Sequence, residues 1–146
     1  MTWIDSVAGY SGTPLPKKLG FIPGLHVFLW NAPPEIRSKL RSALAKSLVV
    51  AKLRPSVDLI IVFARSRAEL SPRVRRVVAS LQPAGALWVC WPKLSSGVAS
   101  DLGENVVREI GLSCGLVDVK VCAVSDIWSG LKFVRRLRDR ETPRPV

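Results

Sequence analysis

The chain has 146 residues, the size of one domain, and its 48% apolar content suits a single packed core. Lys and Arg number 22 against 11 Asp and Glu, a formal charge of +11, and such a balance favours polyanions or anionic surfaces as partners. The longest apolar stretches, such as Leu59 to Ala64 and Ala86 to Trp91, fall far short of the roughly 18 residues a membrane helix needs, so no membrane contact is expected, and collagen, coiled-coil and disordered classes are excluded as well.

Residues 1–24 are punctuated by Gly9, Gly12, Pro14, Pro16, Gly20, Pro23 and Gly24, which break regular structure. They read as an ordered arm around one helical turn near Leu15 to Leu19. Met1 to Ser11 shows no basic start followed by an apolar run, so no leader is legible and a cytoplasmic location is expected. Leu25 to Trp30 is a short apolar run that reads as a buried strand. Asn31 then caps a helix opened by Pro33 and Pro34, with Ile36, Leu40, Ala43 and Leu44 at helical spacing.

The pattern repeats. Leu48 to Leu53 is a candidate edge strand, and Val57 to Ala64 is the near-continuous apolar run of a strand covered on both faces. Ser71-Pro72 marks the start of a helix reaching Leu81. Gln82 to Gly85 forms a turn into a buried strand at Ala86 to Trp91. Asp101 and Glu104 make a capping box for a third helix that ends near Gly115. Leu116 to Val124 and Gly130 to Val134 have no room for a helix between them, so they form an antiparallel hairpin at the sheet edge. The expected fold is a single α/β domain over residues 25–136: a truncated Rossmann-like parallel sheet of methyltransferase-like layout, with helices on its faces and a terminal hairpin. Residues 137–146 read as a basic, flexible tail.

Three motifs stand along this frame: Gly9-Tyr10-Ser11-Gly12-Thr13-Pro14-Leu15; Trp91-Pro92-Lys93 with Ser95-Ser96-Gly97-Val98; and Trp128-Ser129-Gly130-Leu131-Lys132-Phe133. Together the chain resembles a bacterial family of small proteins known only as a domain of unknown function, itself similar in topology to S-adenosylmethionine-dependent methyltransferases. That resemblance implies a glycine-rich turn after the first strand and an acid after the second. Here the turn reads Asn31-Ala32-Pro33-Pro34, and Leu48 to Leu53 is followed by Arg54-Pro55-Ser56, so no cofactor is expected.

Lys93, Ser95, Ser96 and Gly97 lie between a strand end and a helix start, where N–H groups, hydroxyls and an ammonium suit a small anionic ligand. Tyr10, Ser11 and Thr13 of the arm, with Trp128 and Lys132, are candidates to line the same crevice, because ligands of open α/β sheets sit outside the strands' carboxyl ends. The cysteines, Cys90, Cys114 and Cys122, are odd in number without C-x-x-C spacing, so they read as buried free thiols, and no metal site is expected. His26 lies mid-strand with no acid placed beside it by sequence. Asp58, Asp118 and Asp126 lack a second acid at a motif-like spacing, so no catalytic residue is assigned.

Basic residues concentrate in 33–54 (six Lys or Arg, one acid), 65–76 (five and one) and 131–146 (six and two). Arg37, Arg41, Arg73, Arg76, Arg135 and Arg136 are the candidates for a surface that contacts a polyanion such as nucleic acid. The sequence therefore puts first a non-catalytic binding or regulatory protein. A small S-adenosylmethionine-dependent methyltransferase-like enzyme and a sequence-tolerant nucleic-acid-binding protein are the alternatives.

Overall fold

The structure, a computed structural model, describes residues 12–140. In chain order it comprises α1 (Leu15–Leu19), β1 (His26–Trp30), α2 (Pro34–Lys39), α3 (Arg41–Ala45), β2 (Leu48–Val49), β3 (Val57–Phe63), α4 (Arg67–Val78), β4 (Leu81–Pro92), a 3₁₀ turn (Leu94–Ser96), α5 (Glu104–Ser113), β5 (Leu116–Ala123), β6 (Trp128–Arg135) and α6 (Leu137–Arg140). No helix among the described residues is long and apolar enough to cross a membrane. The expected α/β sheet is present, with six strands in the order β2-β1-β3-β4-β6-β5. Strands β1 to β4 are mutually parallel, and β6 runs antiparallel to both β4 and β5. The terminal hairpin thus closes one side of the sheet, with β5 at the edge.

The central strands explain the near-continuous apolar runs. Ile60, Val62, Leu87 and Val89 point to the face covered by Leu70, Val74 and Val77 of α4 and by Val107 and Ile110 of α5. Leu59, Ile61, Phe63, Trp88 and Cys90 point to the opposite face, covered by Leu19 of α1, by Ile36 of α2 and by Leu40 at the junction of α2 and α3. Both layers are apolar, and each buried Leu, Ile or Val contributes about 1.5–3 kcal/mol relative to exposure. Trp88 Nε1 donates to the Leu19 carbonyl at 3.0 Å inside the core, which fastens α1 to the sheet.

Several local expectations are corrected. The helix expected from Ser71 starts one turn earlier: Ser66 is the N-cap, its hydroxyl accepts from the Glu69 N–H, and Pro72 lies inside α4. Pro72 is tolerated there because it sits in the helix's first two turns, and the carbonyl it leaves without a proline N–H belongs to Ala68, near the open end. Asp101 does not cap α5, whose N-cap is Gly103; its carboxylate instead accepts the Arg67 N–H at 2.8 Å, satisfying a donor at the start of α4. The single helix expected after Asn31 is broken at Leu40 into α2 and α3. Gln82 to Gly85 form no turn but belong to β4, where the register against β3 shifts between Val57 and Leu59. Leu137–Arg140 form α6 inside the segment read as a tail.

Candidate ligand-binding cleft

Chain direction creates the cleft. After β1 the chain turns onto α2 on one face of the sheet, and after β3 it turns onto α4 on the other, while β1 and β3 are neighbours. Their carboxyl ends therefore splay at a topological switch point, the place where open α/β sheets hold ligands. A cavity of about 420 Å³ opens there, lined by Asn31, Ala32, Pro33, Pro34, Phe63, Ala64, Arg65, Glu69 and Trp128.

Each wall has a local cause. Asn31 takes φ +60°, the left-handed conformation that glycine adopts freely and that Asn tolerates better than most residues. Pro34 then opens α2, where a missing N–H costs nothing. Ser66 and Glu69 fix the head of α4: the N-cap Ser66 hydroxyl accepts the Glu69 N–H at 3.2 Å, and Glu69 Oε1 reaches back one residue further to accept the Arg65 N–H at 2.8 Å. Trp128 comes in from the β5–β6 turn, where Ser125 Oγ accepts from the N–H groups of Ile127 and Trp128, both at 3.1 Å. Its ring meets Phe63 edge-on, at 5.1 Å between centroids and 85° between planes. Arg73 braces the floor, with Nη1 donating to the Phe63 carbonyl at 2.8 Å and the guanidinium 5.3 Å over the Trp30 ring.

The residues singled out in the sequence are distributed unequally about this cleft. Trp128 lines it. Lys93, Ser95, Ser96 and Gly97 sit on the neighbouring 3₁₀ turn beyond β4, which satisfies itself: Ser96 Oγ donates to the Lys93 carbonyl at 2.7 Å and accepts the Val98 N–H at 3.1 Å. None of these four lines a cavity described here. Tyr10 and Ser11 lie outside the described residues. Thr13 lines two cavities along α1, and Lys132 lies on β6 opposite Trp88 of β4 and Lys120 of β5.

The arginines named for a basic surface stand in different surroundings. Arg73 and Arg135 are structural: Arg73 bonds as above, and Arg135 Nη2 donates to the carbonyls of Val78 and Leu81 at 2.7 and 2.6 Å, tying the end of α4 to β4. Arg37 and Arg41 are exposed on α2 and α3, and Arg76 is exposed on α4. The helices α2 and α4 that carry Arg37 and Arg76 cover opposite faces of the sheet. Arg136 is half-buried, and its carbonyl accepts from the N–H groups of Asp139 and Arg140 in α6.

The sheet register also makes a pair that linear sequence hid. Asp58 Oδ2 accepts the His26 backbone N–H at 2.9 Å and lies 3.6 Å from His26 Nδ1, while Asp58 Oδ1 accepts from Gln82 Nε2 at 2.9 Å. This cluster joins the amino-terminal ends of β1, β3 and β4, the edge opposite the cleft, and serves as a clasp. Cys90 is fully buried and Cys114 and Cys122 are half-buried, all as free thiols. Burial pushes the Cys90 thiol well up, and it raises Cys122 against the opposing pull of Lys18 and Lys120. Phe63, Arg65 and Glu69 were missed as cleft residues. Their signal was legible as Ser66-Arg67-Ala68-Glu69, a capping-box spacing directly after an apolar strand.

The fold is shared with solved methyltransferases. A protein assigned as a type 11 methyltransferase from Sulfolobus solfataricus aligns with a TM-score of 0.59 at 16% identity, over 84% of this chain and 89% of that one. Magnesium protoporphyrin IX methyltransferase from Synechocystis with bound SAM aligns at 0.57 and 13% identity, over 84% and 74%. Precorrin-6y C5,15-methyltransferase from Geobacter metallireducens aligns at 0.54 and 13% identity, over 84% and 86%. No curated protein matches the sequence. These likenesses overturn the primary reading of the sequence, a non-catalytic binding protein, since the fold is the one these methyltransferases have. The family described as protein of unknown function (DUF3052) matches residues 17–137, a span that includes the second and third sequence motifs and begins beyond the first, and the chain belongs to that family.

Proposed function

We propose that the chain is a small methyltransferase-type enzyme that holds S-adenosylmethionine in the cleft between the carboxyl ends of β1 and β3. The observation that carries this reading is Asn31 at φ +60° directly after β1, at the rim of a cavity of about 420 Å³. That volume falls within the range of small-molecule sites, and the left-handed residue gives the backbone turn for which a glycine was expected. No acid follows β2. The carboxylate among the residues lining the cavity is Glu69, whose Oε1 is engaged by the Arg65 N–H while Oε2 takes no hydrogen bond among the described residues, so it is the group that can accept from ribose hydroxyls. Phe63 and Trp128 supply an apolar wall that excludes water.

When bound, S-adenosylmethionine supplies a sulfonium-activated methyl group. The chain's own residues divide the remaining work. Asn31 shapes the turn, Glu69 offers a carboxylate at the rim, and Arg73 holds the β3 end in place through the Phe63 carbonyl.

Calorimetry with S-adenosylhomocysteine tests the reading. A dissociation constant below about 100 μM, roughly 5.5 kcal/mol of binding, is expected, together with loss of binding when Glu69 is changed to Lys. No heat and no shift in melting temperature at millimolar ligand would overturn it.

A further inference from the structure

We propose that the groove along α1 is a second site, separate from the switch-point cleft, that binds a ligand carrying two or more phosphate groups. Two cavities of about 450 and 490 Å³ flank α1 and share Thr13 and Lys18. One reaches Lys39 at the end of α2, and the other reaches Lys17 together with Lys120 and Cys122 of β5. The described residues lining either cavity include four lysines and no Asp or Glu. Neither cavity shares a lining residue with the switch-point cleft.

The groove is built from fixed parts. Lys18 Nζ donates to the Ala123 carbonyl at 3.1 Å, and the Trp88 indole holds the end of α1 through the Leu19 carbonyl. Lys17 and Lys18 therefore stand on a helix that is tied to the sheet at two points. Beside the groove, Lys120 of β5 is the direct register partner of Lys132 of β6. Like charges opposed across a strand pair are destabilising. Among the described residues neither lysine forms an ion pair, and nor do Lys17 and Lys39.

Three of the four lysines lining the groove, Lys17, Lys39 and Lys120, thus form no ion pair among the described residues, and ammonium ions gathered around a concave surface match a ligand with several negative charges. Lysine binds phosphate as a compact point charge. A single carboxylate leaves most of that field unanswered, whereas two or more phosphates meet it. Such a ligand can be a free polyphosphate or the backbone of a nucleic acid, and the chemistry at the groove is the same.

Cys122 provides the readout, because its half-buried thiol lines the groove. Cys114, at the C-cap of α5 and packed on the opposite face of the sheet, is the internal control. The full chain is alkylated with iodoacetamide, and the rate at each cysteine is followed by mass spectrometry with inorganic tripolyphosphate or the oligonucleotide dT10. At ten times its dissociation constant a bound ligand is expected to slow Cys122 about tenfold and leave Cys114 unchanged. Protection should weaken steeply as salt is raised. It should also be lost in Lys17→Glu, Lys39→Glu, two exposed positions whose reversal leaves the core intact.

Protection by tripolyphosphate assigns a free polyphosphate, and protection by dT10 alone assigns a nucleic-acid backbone. Either supports the site. No protection by either probe, or equal protection in the double reversal variant, overturns it. Binding of S-adenosylhomocysteine, measured on the same variant, is expected to be unchanged, so failure of the cofactor reading and failure of this one are separate results.

Discussion

The Phe133 ring of β6 occupies the space that a Cβ on Gly111 of α5 would take. Glycine in a helix interior costs about 1 kcal/mol relative to alanine, yet here it lets α5 approach the sheet closely enough for Phe133 to be fully buried. Gly111→Ala is therefore expected to destabilise the fold by about 2 kcal/mol, the overpacking cost exceeding the gain in helix propensity. Urea denaturation checks this, and an unchanged or raised midpoint would remove the close approach as the reason for glycine.

At Asn31 the opposite result is expected. Asn31→Gly should keep or slightly raise stability, because glycine adopts φ +60° without strain, whereas Asn31→Val should cost at least about 1 kcal/mol. If the cleft holds S-adenosylhomocysteine, the Gly variant should retain binding and the Val variant should lose it. Parallel melting and calorimetry of the two proteins separate a backbone requirement from a side-chain one.

Acid should weaken the α5–β5 contact. The Arg108 side chain, donating from Nε to Asp118 Oδ2 at 2.9 Å, holds the Asp118 carboxyl below its ordinary value. A group depressed in the folded state contributes stability that is complete above its unfolded pKa, about 3.9 for aspartate, and that is lost as pH falls through its lower folded value. Both partners are partly exposed, so solvent screening keeps the effect small. Asp118→Asn should flatten the decline in melting temperature below about pH 4, with little change in its slope between pH 6 and 8.

Lys132 offers a trade between stability and binding. Lys132→Gln relieves the repulsion from Lys120 across β5 and β6 and should stabilise the chain by a few tenths of a kcal/mol. If the groove takes phosphate ligands, the same change should lower their affinity. A thermal melt paired with Cys122 protection by tripolyphosphate reads both effects, and a fall in stability would show that the lysine's aliphatic stem matters more than its charge.

Strand identity was legible because Val57 to Phe63 and Leu87 to Trp91 are near-continuous apolar runs of the kind found in strands covered on both faces. The terminal hairpin was legible from the short spacing between its two runs. Helix starts were less so. Ser71-Pro72 carries a stronger local signal than Ser66, yet the capping bond is made by Ser66, since β3 ends at Phe63 and the chain has to turn onto α4 at once. For the cleft, the sequence reading looked for glycine and for a hydroxyl-rich loop. Of the walls, Trp128 was among the sequence candidates, whereas Asn31, Phe63 and Glu69 were not; the ends of β1 and β3 and the β5–β6 turn, far apart in sequence, meet only through the order of the strands. Arg73 and Arg135 were counted as surface charge because composition cannot show which carbonyls a long side chain reaches.

The place of β6 between β4 and β5 has a consequence for synthesis. As the chain leaves the ribosome, β1, β2, β3 and β4 can assemble in turn, each on a strand already present. β5 cannot: it emerges before β6, its one partner among the described residues, and the open edge available to it belongs to β4. Until Trp128–Arg135 have followed, β5 and the exposed flank of β4 form a pairing hazard of the kind that favours misassembly. Completion of the sheet therefore waits on a strand inserted between two earlier ones, and a nascent chain halted before Trp128 is the species most in need of a chaperone.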